Sequence, residues 1–152
     1  ITSKKLHSQY KLLNIPDELG EESMKMLSQE PEIKNTLDYI QKTDVLVFAI
    51  GKADEMAKRR KLPEDKVNEI ISKGAVGEAF GHYFNENGEI VYRLSRFGLQ
   101  IEEIEKIPYA MAIAGGSTKA KAIKAFMKYA PHQTWLITDE GAANLILKGV
   151  TL

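Results

Sequence analysis

The sequence contains no cysteine, which removes a thiol nucleophile, a disulfide framework and a thiolate-ligated metal from consideration. No apolar run is long enough to cross a bilayer, and no signal-peptide pattern opens the chain. Together these absences fit a reducing compartment and lead us to expect a cytoplasmic protein with no membrane partner. Neither sign of charge is in excess: Lys plus Arg and Asp plus Glu each number 21. No net positive field is therefore available to drive nonspecific nucleic-acid binding, which leaves only a local basic patch for that role. Internal repeats, low-complexity stretches and Gly/Ser linkers are also missing. What is present is a chain of 152 residues, 43% apolar and 28% charged, close to an ordinary globular domain. It is one domain or one large fragment, long enough to bury a core without disulfide or metal staples.

Apolar strand patterns alternate with amphipathic helical ones. Tyr10–Ile15 reads as a short strand stopped by Pro16, and Glu21–Gln29 as a helix. Pro31 suits the first turn of the next helix, where its missing N–H is not needed, and Ile33, Leu37 and Ile40 recur at helical spacing. Asp44–Ile50 is almost continuously apolar, the pattern of a strand covered on both faces, and Gly51 ends it. Pro63–Lys73 predicts a helix with Val67, Ile70 and Ile71 inward, stopped by Gly74. Asn85-Glu-Asn-Gly88 lies between apolar and aromatic residues and predicts a hairpin. Then come a short helix (Ile101–Lys106), a strand (Ala110–Ala114), a helix (Lys119–Tyr129), a strand (Trp135–Thr138) and a last helix (Gly141–Leu147). This order predicts an α/β fold: a mostly parallel, Rossmann-like sheet flanked by helices on both faces, with a small hairpin insertion.

In open α/β sheets ligands bind beyond the carboxyl ends of the strands, and three loops hold that position here. Ala114-Gly-Gly-Ser-Thr-Lys119 is the most informative. Gly115 and Gly116 let backbone approach a ligand, Ser117 or Thr118 can cap the following helix, and Lys119 adds a charge suited to phosphate. The plainer alternative is a tight strand–helix turn. The spacing matches neither a P-loop nor Gly-x-Gly-x-x-Gly. Lys58-Arg59-Arg60 follows the Gly51 turn; Arg suits bidentate phosphate contacts, or the run is a solvated face. Glu78 stands among small and apolar residues and needs a partner, either an internal cation or a ligand hydroxyl, unless it lies on an edge turn. Asp139 and Glu140 could do acid–base work, or cap a helix and compensate its dipole. His7, His82 and His132 have no metal-ligand spacing, and no Ser-His-Asp arrangement is legible.

Several of these motifs, in one order, resemble a known family. Gly74-Ala-Val-Gly-Glu78, Phe80-Gly-His-Tyr-Phe84, Arg96-Phe-Gly98, Ile113-Ala-Gly-Gly116, Lys119-Ala-Lys-Ala-Ile123 and Leu136-Ile-Thr-Asp-Glu140 are similar to the sugar-binding domain of SorC-type bacterial transcription regulators. Leu13-Asn-Ile-Pro16, Gln29-Glu-Pro-Glu-Ile33 and Ala57-Lys-Arg-Arg60 resemble the subgroup that regulates central glycolytic genes. The resemblance covers essentially the whole chain. It implies a fold like that of sugar-phosphate isomerases, used for sensing rather than catalysis, without a cofactor. It implies a phosphorylated sugar as effector, fructose-1,6-bisphosphate for this subgroup. By motif position it implies that Arg59 and Lys119 bind phosphate, that Glu78 accepts from sugar hydroxyls, and that Gly115, Gly116 and Ser117 line the site. It further implies that residues 1–152 are the C-terminal part of an effector-binding domain. The DNA-binding domain and a first Gly-Gly-Thr/Ser phosphate loop would lie outside this chain. Operator DNA would be met only through that other domain, in a homo-oligomer.

The leading expectation is thus the effector-sensing portion of a glycolytic repressor. The alternative is a sugar-phosphate isomerase on the same fold, with Asp139 or Glu140 as proton shuttle, because one fold hosts many functions. A third is an oligomerisation module without ligand.

Overall fold

The computed structural model describes residues 2–16 and 19–149. They form two compact units: the residues up to Lys42 with Ser95–Gly98, and Thr43–Leu94 with the residues from Leu99 on. The first unit holds three helices, α1 (Thr2–Lys5), α2 (Glu21–Leu27) and α3 (Pro31–Gln41). Pro31 occupies the first turn of α3 as its fixed φ favours, and the Lys11 ammonium sits 4.0 Å from the centre of the Tyr39 ring. The strand expected over Tyr10–Ile15 is not formed: the segment is irregular, and Tyr10 and Leu12 are exposed. A strand exists only against a partner, and none of the described strands pairs with this segment.

The second unit is α/β. Its parallel sheet has three strands in the order β1-β6-β7, from β1 (Val45–Phe48), β6 (Tyr109–Ile113) and β7 (Thr134–Ile137). Leu46 pairs with Ala110 and Ala110 with Thr134. A second, antiparallel sheet has the order β2-β3-β4-β5, from β2 (Gly51–Lys52), β3 (Ala75–Ala79), β4 (His82–Asn85) and β5 (Ile90–Arg93). The hairpin read from the sequence is the outer half of this sheet. Its turn is tied by Asn85, whose side-chain oxygen accepts from the Asn87 and Glu89 N–H groups, with Gly88 at φ 86°. The inner strands escaped the sequence reading because Ala75-Val-Gly-Glu-Ala79 has, apart from Val76, only residues depleted in strands, and because Gly51, expected to end a strand, opens β2. The remaining helices are α4 (Ala53–Arg59), α5 (Glu64–Ser72), α6 (Ala120–Tyr129) and α7 (Glu140–Lys148), with 3-10 turns at Ile101–Lys106 and Ser117–Lys119.

Two apolar clusters hold this unit together. In the larger, Ala122, Ile123 and Phe126 of α6 pack against Ala110 and Ala112 of β6 and against Phe84 of β4. The Phe126 ring meets Phe48 at 5.4 Å and Phe84 at 5.8 Å between centroids. Burying each such side chain contributes about 1.5–3 kcal/mol. Gly77 is needed here: a Cβ would strike the Phe84 ring and come within 3.0 Å of Ala122. The smaller cluster joins Ala53 and Ala57 of α4, Ile70 of α5, Tyr83 and Leu94. Ile71, expected inward, is exposed while Ile70 is fully buried. Ile70 alone of that pair continues the inward helical stripe.

The parallel strands are not covered on both faces. Leu46, Phe48, Ala110, Ala112 and Leu136 turn toward the larger cluster, whereas Val45, Val47, Tyr109, Ile113, Trp135 and Ile137 are exposed. The side chains alternate as a strand demands. A continuous apolar run does not encode which of its two faces is covered.

Candidate functional site

The site begins where β6 and β7 end. The Ala114 N–H donates to the Ile137 carbonyl at 3.1 Å, which carries the parallel pairing one residue past β6. Gly115 and Asp139 therefore leave neighbouring strand ends side by side. The Asp139 carboxylate accepts a hydrogen bond from the Gly116 N–H. Its other oxygen accepts from the Ala142 N–H at 3.1 Å, capping α7. These two donors, Gly116 first, hold the Asp139 carboxyl below the usual aspartate range. Gly115 makes the approach possible: a Cβ there would lie 2.5 Å from an Asp139 oxygen. Gly116 has φ 98°, which a side chain resists.

Ser117, Thr118 and Glu140 are exposed, and Lys119 is partly buried at the end of the 3-10 turn. Its N–H donates to the Gly116 carbonyl at 2.9 Å. The expected side-chain cap on the following helix is absent: α6 starts at Ala120 with Lys119 at its N-cap, and neither Ser117 nor Thr118 caps it. The 3-10 turn satisfies part of the helix start instead. Of the two readings of Asp139, the structure supports the capping one.

A second cluster lies in the antiparallel sheet. Glu78 sits mid-strand between Gly51 of β2 and Tyr83 of β4 and is 3% exposed, so the edge-turn alternative does not hold. Phe80 and Gly81 both have positive φ and make the tight turn joining β3 to β4. The Gly81 N–H donates to Glu78 Oε1 at 2.6 Å. The same oxygen accepts from the Arg60 guanidinium at 3.1 Å. Of the two partners open to Glu78, an internal cation and a ligand hydroxyl, the structure contains the cation. That cation is Arg60. Arg59, one residue earlier, is the exposed last residue of α4. Tyr83, opposite Glu78, is fully buried, and burial first, then the Glu78 charge, pushes its phenol up to about 12.

Sequence reasoning missed Arg60 and Tyr83, although a signal for the first was present. Ala53 and Ala57 are the buried positions of α4, and Arg60 continues that stripe at the seventh position while Arg59 falls off it. Both α4 and α6 pack on β3, the strand that carries Glu78. One cluster holds the Glu78 carboxylate paired with Arg60; the other is a turn whose Gly116 N–H donates to the Asp139 carboxylate, with Lys119 three residues on.

Comparison with known proteins gives this arrangement a context. Residues 2–148 match the Sugar-bind family, "Putative sugar-binding domain". The chain belongs to the Sugar-bind family. It is 44% identical over 146 residues to the Central glycolytic genes regulator of Priestia megaterium and 41% identical to that of Bacillus subtilis. Each alignment takes in 96% of this chain and 42% and 43% of those relatives. The chain thus spans less than half the length of the relatives it matches. A crystal structure of a "putative SorC family transcriptional regulator" from Enterococcus faecalis superposes with a TM-score of 0.90 at 48% identity, over 95% of this chain and 59% of that one. The likeness to SorC-type regulators, and among them to regulators of central glycolytic genes, is the one the motifs indicated. The chain shares its α/β fold with the Enterococcus faecalis regulator, and no described helix is long and apolar enough to cross a membrane.

Proposed function

We propose that this Sugar-bind domain senses a phosphorylated sugar, fructose-1,6-bisphosphate, and through it controls a regulator of glycolytic genes. The observation that carries the reading is the Gly115–Lys119 turn at a parallel strand end, in a chain 41–44% identical to regulators of central glycolytic genes. The Gly116 N–H already holds a carboxylate oxygen, so the turn is suited to an anionic oxygen, and Lys119 stands beside it with a point charge fit for phosphate. Gly115, Gly116 and Ser117 line the site. Exposed Arg59 supplies a second phosphate contact, and Glu78 accepts from a sugar hydroxyl. Operator DNA is bound by another domain of the regulator. The sugar alters that binding by having different affinities for two arrangements of the protein, of its domains or of its subunits in a homo-oligomer.

The isomerase reading requires Asp139 or Glu140 to move protons. Asp139 is engaged by two backbone N–H groups and held anionic, which suits a structural tie better than a shuttle. The test is thermal stabilisation of the intact regulator by fructose-1,6-bisphosphate. Stabilisation is expected in the wild type and lost in Lys119→Ala and in Arg59→Ala. Equal stabilisation in both variants would show that the site is elsewhere, and turnover of sugar phosphates abolished by Glu140→Gln would establish an enzyme.

A further inference from the structure

We infer that Arg60 is a positioning residue for effector recognition: together with the Gly81 N–H it fixes Glu78 Oε1, and so presents Glu78 Oε2 to a sugar hydroxyl. The inference rests on the effector reading above and deepens it, because it gives each of the two partners open to Glu78 its own oxygen. Three observations lead to it. Both hydrogen bonds that the carboxylate accepts fall on Oε1, from Gly81 at 2.6 Å and from Arg60 at 3.1 Å. Oε2 accepts none among the described residues, yet it is not one of the sealed polar atoms that lack a partner. It therefore shares in the small exposure that Glu78 keeps, 3% of the residue, and a ligand group can reach it there.

The third observation is that Oε1 is held by strained and desolvated groups. The Gly81 N–H reaches it from a turn in which Phe80 has φ 56°, a conformation that a bulky side chain resists. Arg60 and Glu78 are both largely buried, and a buried ion pair adds little stability that apolar residues would not. Such strain and desolvation fit a functional orientation better than a purely structural tie. Glu78 lies mid-strand between β2 and β4, so its backbone is fixed, and two donors on one oxygen fix the side chain as well. A carboxylate has acceptor capacity left on the other oxygen. Held still where water is scarce, that oxygen discriminates between a ligand that brings a hydroxyl and one that does not. Phosphate contacts from Arg59 and Lys119 carry no such information, since any bisphosphate of suitable length satisfies them. Arg60 thus acts on the sugar through Glu78 and stays on Oε1 throughout.

The experiment uses the intact regulator and calorimetry with two probes, fructose-1,6-bisphosphate and 1,6-hexanediol bisphosphate, a chain of the same carbon number without hydroxyls. The readout is the ratio of the two affinities. Arg60→Met is expected to lower that ratio by roughly tenfold, the scale of one hydrogen bond to a charged group. Arg60→Lys, which restores a cationic donor, should recover part of it. In a Glu78→Gln background, adding Arg60→Met should change the ratio by less than about twofold, since the carboxylate it positions is gone. A merely structural role would weaken both ligands alike, so an equal ratio in the wild type and Arg60→Met would overturn the inference alone. Should Arg60→Met fail to fold, a crystal structure of the wild type with fructose-1,6-bisphosphate decides. A sugar hydroxyl on Oε2 with Arg60 still on Oε1 is expected there; a hydroxyl on Oε1, or Arg60 on a phosphate, would overturn the inference and leave the effector reading standing. A wild type that binds neither bisphosphate would overturn the effector reading and this inference with it.

Discussion

Arg60 donates to Glu78 Oε1 at 3.1 Å from a side chain that is itself largely buried, so the two residues form an internal ion pair linking the end of α4 to the middle of β3. Removing one member leaves the other charged and desolvated. Arg60→Ala is expected to destabilise the protein by about 3–5 kcal/mol, the range for breaking a buried pair. Arg59→Ala, at an exposed position, should stay within about 0.5 kcal/mol. Urea denaturation of the two variants checks this. Equal losses would mean that the pair is not buried as described.

How much of this pair could be read beforehand shows where sequence patterns carry information. Glu78 stood out because a carboxylate among Gly, Ala and Phe must find a partner, and the run Lys58-Arg59-Arg60 offered cations. Choosing between the arginines required the phase of α4, which Ala53 and Ala57 set. The strands β1, β6 and β7 were legible because they are short, almost continuously apolar runs. The strand holding Glu78 was not, because Gly and Ala carry little strand preference and its pairing with β2 and β4 is set by tertiary contacts. Asp139 was legible as a cap from its position before a helix. Its bond to Gly116, 23 residues away, leaves no local trace.

Asp139 gives a prediction about pH. Its carboxyl is held below the ordinary aspartate value of 3.8 by the Gly116 and Ala142 N–H groups. A depressed folded value means that the unfolded chain takes up the proton first. The stabilisation is then complete above the unfolded value and is lost as pH falls through the lower folded value. Asp139→Asn keeps a capping oxygen but no charge. Its melting temperature should lie below that of the wild type at neutral pH, and the gap should close in strong acid. A gap independent of pH would remove the charge from the argument.

Gly115 gives a prediction about geometry. In Gly115→Ala the new methyl would stand 2.5 Å from an Asp139 oxygen, so either the strand end or the carboxylate must shift. We expect loss of the Asp139 tie and a cost of roughly 1–3 kcal/mol, typical of overpacking. Gly20→Ala, which meets nothing within 4 Å, should have little effect. Denaturation midpoints test the contrast. If Gly115→Ala is as stable as Gly20→Ala, the carboxylate does not depend on the close approach.

The exposed face of the parallel sheet can be probed through the one tryptophan of the sequence. Trp135 lies on β7 opposite Met111 of β6 and is 64% exposed, whereas Leu136 beside it packs on the core. Its fluorescence in the 152-residue chain should resemble that of a solvated indole and be quenched efficiently by acrylamide. Trp135→Thr should change stability by no more than about 0.5 kcal/mol, as for surface positions, and should reduce association by shrinking an apolar patch that also includes Val47 and Tyr109. Leu136→Ala, one residue along the same strand, should cost about 2–5 kcal/mol because it opens the core. A blue-shifted, unquenched Trp135, or a loss in Trp135→Thr as large as that in Leu136→Ala, would show that this face is covered in solution.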